Sequence, residues 1–231
     1  MRNLKFRSVV CFVAALCITS TSMGREPADY VDMFIGTSNS RWMLGPYAQR
    51  PFGMVQLGPD NQGNVWMGGY EWSISNVSGF SHIHAWTMGG LLLMPSTVDL
   101  AIGNPSTDSP YQGANAGYHS RILKETETAR PGYYGVYLYD SRTYAEMTAT
   151  THCGVHRYTF PECTDSRILV DLQFPTEWDY GFKVNEASLR KVGDAEMRRL
   201  RVMPTASPAL GAGGTNTDFI SSYGLAAGSI R

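Results

Sequence analysis

The chain has 231 residues, of which 43% are hydrophobic and 17% charged, with a net charge of −1. That apolar content is enough for a packed core and excludes a globally disordered chain, while the charge balance leaves no basic face for nucleic acid. Aromatic residues at 12%, with 24 Gly and 12 Pro, favour a turn-rich β protein over a helical one.

The first element is a targeting segment. Arg2, Lys5 and Arg7 form a basic region, "SVVCFVAALCI" (8–18) follows as an apolar one, and "TSTSMG" (19–24) supplies small residues for cleavage. The apolar run is too short to span a bilayer, which takes about 20 residues. Leu16 before Cys17 is also too large for a lipid-anchor site. Residues 1–24 are therefore read as a signal peptide, and the mature chain as exported, periplasmic or secreted, with no membrane span. Removing them takes away Cys11 and Cys17. Cys153 and Cys163 remain, read as two separate half-buried thiols with a disulfide as the alternative.

From residue 25 to about 193, short alternating apolar runs are separated by Gly, Pro, Asn and Asp. "FGMVQL" (52–57) and "GLLLMP" (90–95) read as strands with one buried face. "GYYGVYLYD" (132–140) and "YAEMTATT" (144–151), separated by "SRT", predict a hairpin. "GVHRYTFP" (154–161) follows, with His156, Tyr158 and Phe160 on one face; in "RILVDLQF" (167–174) Ile168, Val170, Leu172 and Phe174 alternate likewise. No stretch carries a 3.6-residue apolar stripe. The fold class expected is all-β, an antiparallel sandwich of two packed sheets. Beyond residue 193 the composition turns to Ala, Gly, Ser, Thr and Pro without a clear period, and 194–231 is expected to be an irregular tail.

Several of these phrases occur in an order that carries a resemblance. "YVDMFIGT" (30–37), "PFGMVQLGPD" (51–60), "GGY" (68–70), "GFSHIH" (79–84), "RPGYYGVYL" (130–138), "AEMTATT" (145–151) and "GVHRYTFP" (154–161) together resemble the N-terminal domain of glycoside hydrolase family 92, the exo-acting α-mannosidases. The resemblance implies a β-sandwich (25–193) followed in the intact enzyme by an (α/α)6 barrel, with the active site between them. It also implies calcium, mannose-containing glycans as substrates, and inversion at the anomeric carbon. Inversion needs a carboxylic acid and a carboxylate about 6.5–9.5 Å apart with a water between, and both belong to the barrel. The chain stops at Arg231, so no catalytic residue and no metal ligand is expected in it, and it is expected to be inactive alone. A frameshifted or truncated reading of a longer gene is the account favoured for the tail, with a genuine short paralogue competing. A stand-alone carbohydrate-binding or interaction module and a non-functional fragment are the alternative functions.

The substrate-binding candidates cluster in two segments. In "GFSHIHAWTMGG" (79–90), His82 and His84 stand two apart, so in a strand both imidazoles would face one way. A zinc site would need a third ligand that the neighbourhood lacks, and imidazole is the wrong donor for calcium. Two readings stay open: a structural role with ring nitrogens bonded to backbone or Ser81, or, as the resemblance implies, a place lining the sugar pocket. Trp86 is either a sugar-stacking ring or a core residue. Ala85, Trp86, Thr87 and Met88 depart from the Gly-rich segment that many family members carry there, which puts linkage preference in doubt. "WMGGYEW" (66–72) offers a second rim with Trp66, Gly69, Tyr70 and Trp72, and Glu71 as a solvated loop carboxylate. Arg41 and Arg50 are read as surface residues, His152 and His156 as structural. Asp32, Asp60 and Asp99 are scattered and unpaired.

Overall fold

The computed structural model describes residues 25–39, 44–61, 69–84, 88–89, 91–98, 119–163, 165–171, 183–193, 196–205 and 224–226. The signal-peptide reading, Arg41, Trp66, Trp86, Asp99, Leu172 and Phe174 lie outside them. The chain divides into two compact units, 1–31 and 32–231. In the first, a 3-10 turn at Pro27–Tyr30 is closed at its start by Glu26 N–H donating to Asp29 Oδ2 at 2.9 Å.

The second unit is built from strands. β1 is Gly58–Asp60, β2 Asn76–Val77, β3 Gly79–Ser81, β4 Ile83–His84, β5 Met88–Gly89, β6 Leu92–Ser96 and β7 Ser120–Arg121. β8 is Thr128–Arg130, β9 Tyr133–Leu138, β10 Thr143–Ala149, β11 Gly154–Thr159 and β12 Arg167–Asp171. Two four-stranded antiparallel sheets dominate, in the orders β1-β3-β6-β12 and β11-β10-β9-β8. Their inner faces supply one core: Leu57, Phe80, Leu92 and Met94 from the first side, Tyr134, Val136, Leu138, Ala145 and Met147 from the second. The Phe80 ring lies 6.4 Å from that of Tyr134 and 6.3 Å from that of Tyr158. This is the sandwich that the alternating runs predict.

The meander β9–β10–β11 follows the expected alternation. Thr143, Ala145, Met147 and Ala149 are buried on β10, and on β11 residues 154, 156 and 158 are half-buried while 155, 157 and 159 are exposed. Gly79 has φ +153°, and a Cβ there would lie 2.8 Å from Leu92 Cδ2 and 2.9 Å from Leu93 O. Only glycine lets β3 come this close to β6.

Three expectations need correction. "FGMVQL" starts in a turn: Phe52 sits at φ +59°, fully exposed, and Gly53 N–H closes the loop on Arg50 O at 2.8 Å, before Met54, Gln56 and Leu57 N–H donate to Thr151 O, His82 O and Ala48 O. The regular strand begins at Gly58, with Val55 and Leu57 turned inward as the alternation expects. On β12 the expected face is split, with Val170 half-buried and Ile168 out in solvent. Leu169 is registered against Met94 and packs on the core. Cys153 and Cys163 are free, as expected, but exposed rather than half-buried. Further along the chain, β13 (Lys183–Gly193), β14 (Glu196–Thr205) and β15 (Gly224–Ala226) pair in a third sheet, with three register shifts along β13–β14. Among the described residues no helix is long and apolar enough to cross a membrane.

Candidate functional site

The two histidines of "GFSHIHAWTMGG" are internal. β3 ends at Ser81 and β4 starts at Ile83, so His82 occupies a bend between two short strands. His82 and His84 are 8% and 1% exposed. His82 Nδ1 lies 2.6 Å from Leu91 O, and its Nε2 lies 3.2 Å from His156 Nε2 on the second sheet. Burial pulls the His82 imidazole below its ordinary pKa, with the Leu91 carbonyl opposing. His156 is pulled well below, again by burial first and by His82 second.

His84 is held from every side. Its Nδ1 faces Gln56 O at 2.6 Å, and its Nε2 faces Asp60 Oδ1 at 2.9 Å and Ser81 Oγ at 3.2 Å. The Tyr47 ring stacks on it at 4.0 Å and 16°. Burial, with the Asp60 carboxylate behind it, pushes the Tyr47 hydroxyl well up. Ser81, His84 and Asp60 do not form a nucleophilic relay. Hydroxyl and carboxylate both address Nε2, whereas a relay needs the carboxylate on the opposite nitrogen, and Ser81 is fully buried.

The second segment reaches the same neighbourhood. Asn61 N–H donates to Gly69 O at 2.8 Å, which sets Gly69 and Tyr70 beside Asp60. Gly69 adopts φ +91°, as its place in that loop requires. Tyr70 is buried: its hydroxyl donates to Glu127 Oε1 at 2.8 Å, and Lys124 Nζ approaches that hydroxyl at 3.1 Å. Burial and then Glu127 raise the Tyr70 hydroxyl far beyond its ordinary range. Glu71, expected as a solvated carboxylate, is 5% exposed, because Asn39 N–H and the Ser73 N–H and hydroxyl all donate to it. It fixes the loop from inside. Trp72 keeps a partly exposed ring, edge-on to Phe34 at 4.9 Å and under Lys124 Nζ at 4.6 Å.

The structure thus brings His82, His84, Gly69 and Tyr70 around Asp60 and Tyr47, and leaves Arg50 and His152 exposed. Tyr47 and Glu127 are partners that sequence reasoning left unassigned; Asp60, read as unpaired, meets His84, and His156, read as structural, meets His82. Local spacing carries no signal for pairs separated by 24 or 74 positions. Asp60 Oδ2 and Gln56 Oε1 are buried and make no hydrogen bond. Among the described residues no group of three or more His, Cys, Asp and Glu is placed to hold a metal ion.

Comparison with known proteins adds the family. The family model described as the glycosyl hydrolase family 92 N-terminal domain matches residues 30–209. An uncharacterized secreted glycosidase from Arthroderma benhamiae is 31% identical over 135 residues, covering 57% of this chain and 17% of its own. A family GH92 α-mannosidase from Bacteroides thetaiotaomicron superposes with a TM-score of 0.65 at 29% identity, over 80% of this chain and 26% of its own; it has also been solved in complex with mannoimidazole. A family GH92 inverting mannosidase from the same bacterium, 18% identical with a TM-score of 0.51 over 80% of this chain and 29% of its own, shares the fold. The chain therefore spans less than a third of the length of each of these relatives.

Proposed function

The chain belongs to the glycosyl hydrolase family 92 N-terminal domain family, and from that premise we propose that it forms one wall of the mannose pocket in an exported, calcium-dependent, inverting exo-α-mannosidase. The observation that carries this reading is the match over residues 30–209 together with the likeness to an α-mannosidase at 29% identity. In this proposal the acid, the base and the calcium ligands belong to an (α/α)6 barrel domain, and the substrates are mannose-containing glycans. Calcium would supply a hard charge for sugar oxygens.

The part proposed for this domain is support and shape. His82 and His84 act as internal posts under the segment that leads to Trp86, because their ring nitrogens are engaged within the protein. Gly69 and Tyr70 anchor the neighbouring segment that leads back to Trp66. Trp66 and Trp86 are proposed to present their ring faces to the C–H face of a mannose unit. Export is supported by the basic-then-apolar start of the chain and by the relative named as secreted.

The test is a calorimetric titration of the purified chain with an α-mannoside. Binding in the millimolar range or better, weakened by Trp86→Ala, is the expected result. A flat titration counts against a sugar-facing wall in this domain.

A further inference from the structure

We propose that His82 and His156 form an acid-labile clasp between the two sheets of the sandwich, intact while both imidazoles are neutral and opened by their protonation. This goes beyond the sugar-pocket reading and does not depend on it. The atoms fix the hydrogen positions. A carbonyl only accepts, so His82 must carry its hydrogen on Nδ1 to donate to Leu91 O at 2.6 Å. A neutral His82 then offers a lone pair at Nε2, and His156 Nε2–H donates to it at 3.2 Å. That leaves His156 Nδ1 as an acceptor, and the Tyr158 hydroxyl donates to it at 2.8 Å. One directional chain results: Tyr158 to His156 to His82 to the backbone of residue 91. It crosses from β11 on the second sheet to the bend between β3 and β4 on the first side.

A proton has no good place in this chain. On His82 Nε2 it would set two N–H donors against each other. On His156 Nδ1 it would turn the Tyr158 hydroxyl away from its acceptor and put a charge between the sheets. Among the described residues, the titratable groups facing His82 from the first side are Asp60 and His84, and Asp60 Oδ1 is already bonded to His84. From the second side His156 and Tyr158 face it, and the β10 residue registered against His156 is the apolar Met147. Apolar Leu57 and Val55 lie close to Gly154, where a Cβ would stand 3.2 Å from His82 Cδ2. The lowered pKa of both histidines, caused mainly by burial, agrees with the geometry.

The sign follows from linkage. Histidine in the unfolded chain titrates near pH 6.5, whereas the folded pair stays neutral to lower pH. The clasp's stabilisation is therefore fully present above about pH 6.5 and falls as the pH drops toward the folded values. Each histidine held neutral raises the unfolding constant about tenfold per pH unit below that point.

The experiment is denaturant unfolding of the full chain at pH 7, 6 and 5, beside His156→Gln. Glutamine keeps one donor for His82 Nε2 and one acceptor for Tyr158 but does not titrate. Between pH 6 and 5 the parent's unfolding constant should rise about tenfold more than the variant's. An equal pH response in the two proteins overturns the clasp. A two-bond 1H–15N imidazole spectrum of the unaltered chain decides independently of how the variant folds. Hydrogen on His82 Nδ1 and His156 Nε2 from pH 7 to 6 is the expected result. The opposite tautomers, or either ring titrating near pH 6.5, would refute it.

Discussion

Replacing Glu127 by Gln should destabilise the domain well beyond what one changed atom suggests. The carboxylate is fully buried and takes the Tyr70 and Tyr134 hydroxyls on Oε1 at 2.8 and 2.7 Å and Lys124 Nζ on Oε2 at 3.0 Å. A glutamine Oε1 can still accept both tyrosines, but its amide N–H then faces the Lys124 ammonium, donor against donor. Breaking a buried ion pair from one side costs about 3–5 kcal/mol. Lys124 keeps 21% of its side chain exposed and also lies over the Tyr70 and Trp72 rings at 5.0 and 4.6 Å, so part of its charge remains solvated or paired. That argues for a loss of about 2–3 kcal/mol, at or below the lower limit for such pairs. With a urea slope of about 2 kcal/mol/M, the midpoint should fall by roughly 1 M or slightly more. Adding Lys124→Met removes the opposed donor and should restore at least half of the loss. The reasoning fails if Glu127→Gln stays within about 0.5 kcal/mol of the parent, or if the two substitutions simply add.

Gly79→Ala would press a methyl against Leu92 and the Leu93 carbonyl from a backbone angle that alanine rarely adopts. Overpacking and strain together predict a loss of about 3 kcal/mol or more by chemical unfolding, and a loss under about 1 kcal/mol would show that β3 and β6 can separate cheaply. Cys153 and Cys163 should both react with a thiol reagent in the folded chain, since both are exposed and free. Recovery of no titratable thiol before reduction would mean that they pair.

The parts of this fold that were legible in the sequence are those with local grammar. The β9–β10–β11 meander follows from alternation, the "SRT" turn and the half-buried row at 154, 156 and 158. β12 reads less well because both of its faces carry aliphatic residues, and only the register of Leu169 against Met94 decides which turns inward. Phe52 is hidden for a different reason: a left-handed turn at an aromatic residue contradicts the alternation that surrounds it. At the candidate site, bonding of ring nitrogens to Ser81 and to backbone was among the readings open for His82 and His84. Their partners Asp60 and His156 were not, because a period-2 pattern tells which way a side chain points and not what comes to meet it across the sandwich. Glu71 and Glu127 look like surface carboxylates in the sequence and are internal hubs in the fold, each made tolerable by donors from distant loops.

The most direct measurement of the central claim is hydrolysis of an α-mannobioside by the purified 231-residue chain, with calcium and with a chelator. If the domain supplies a pocket wall and not the catalytic carboxylates, mannose release stays at the blank level in both. Release above blank that the chelator abolishes would contradict the account and put the acid, the base and the calcium within this chain.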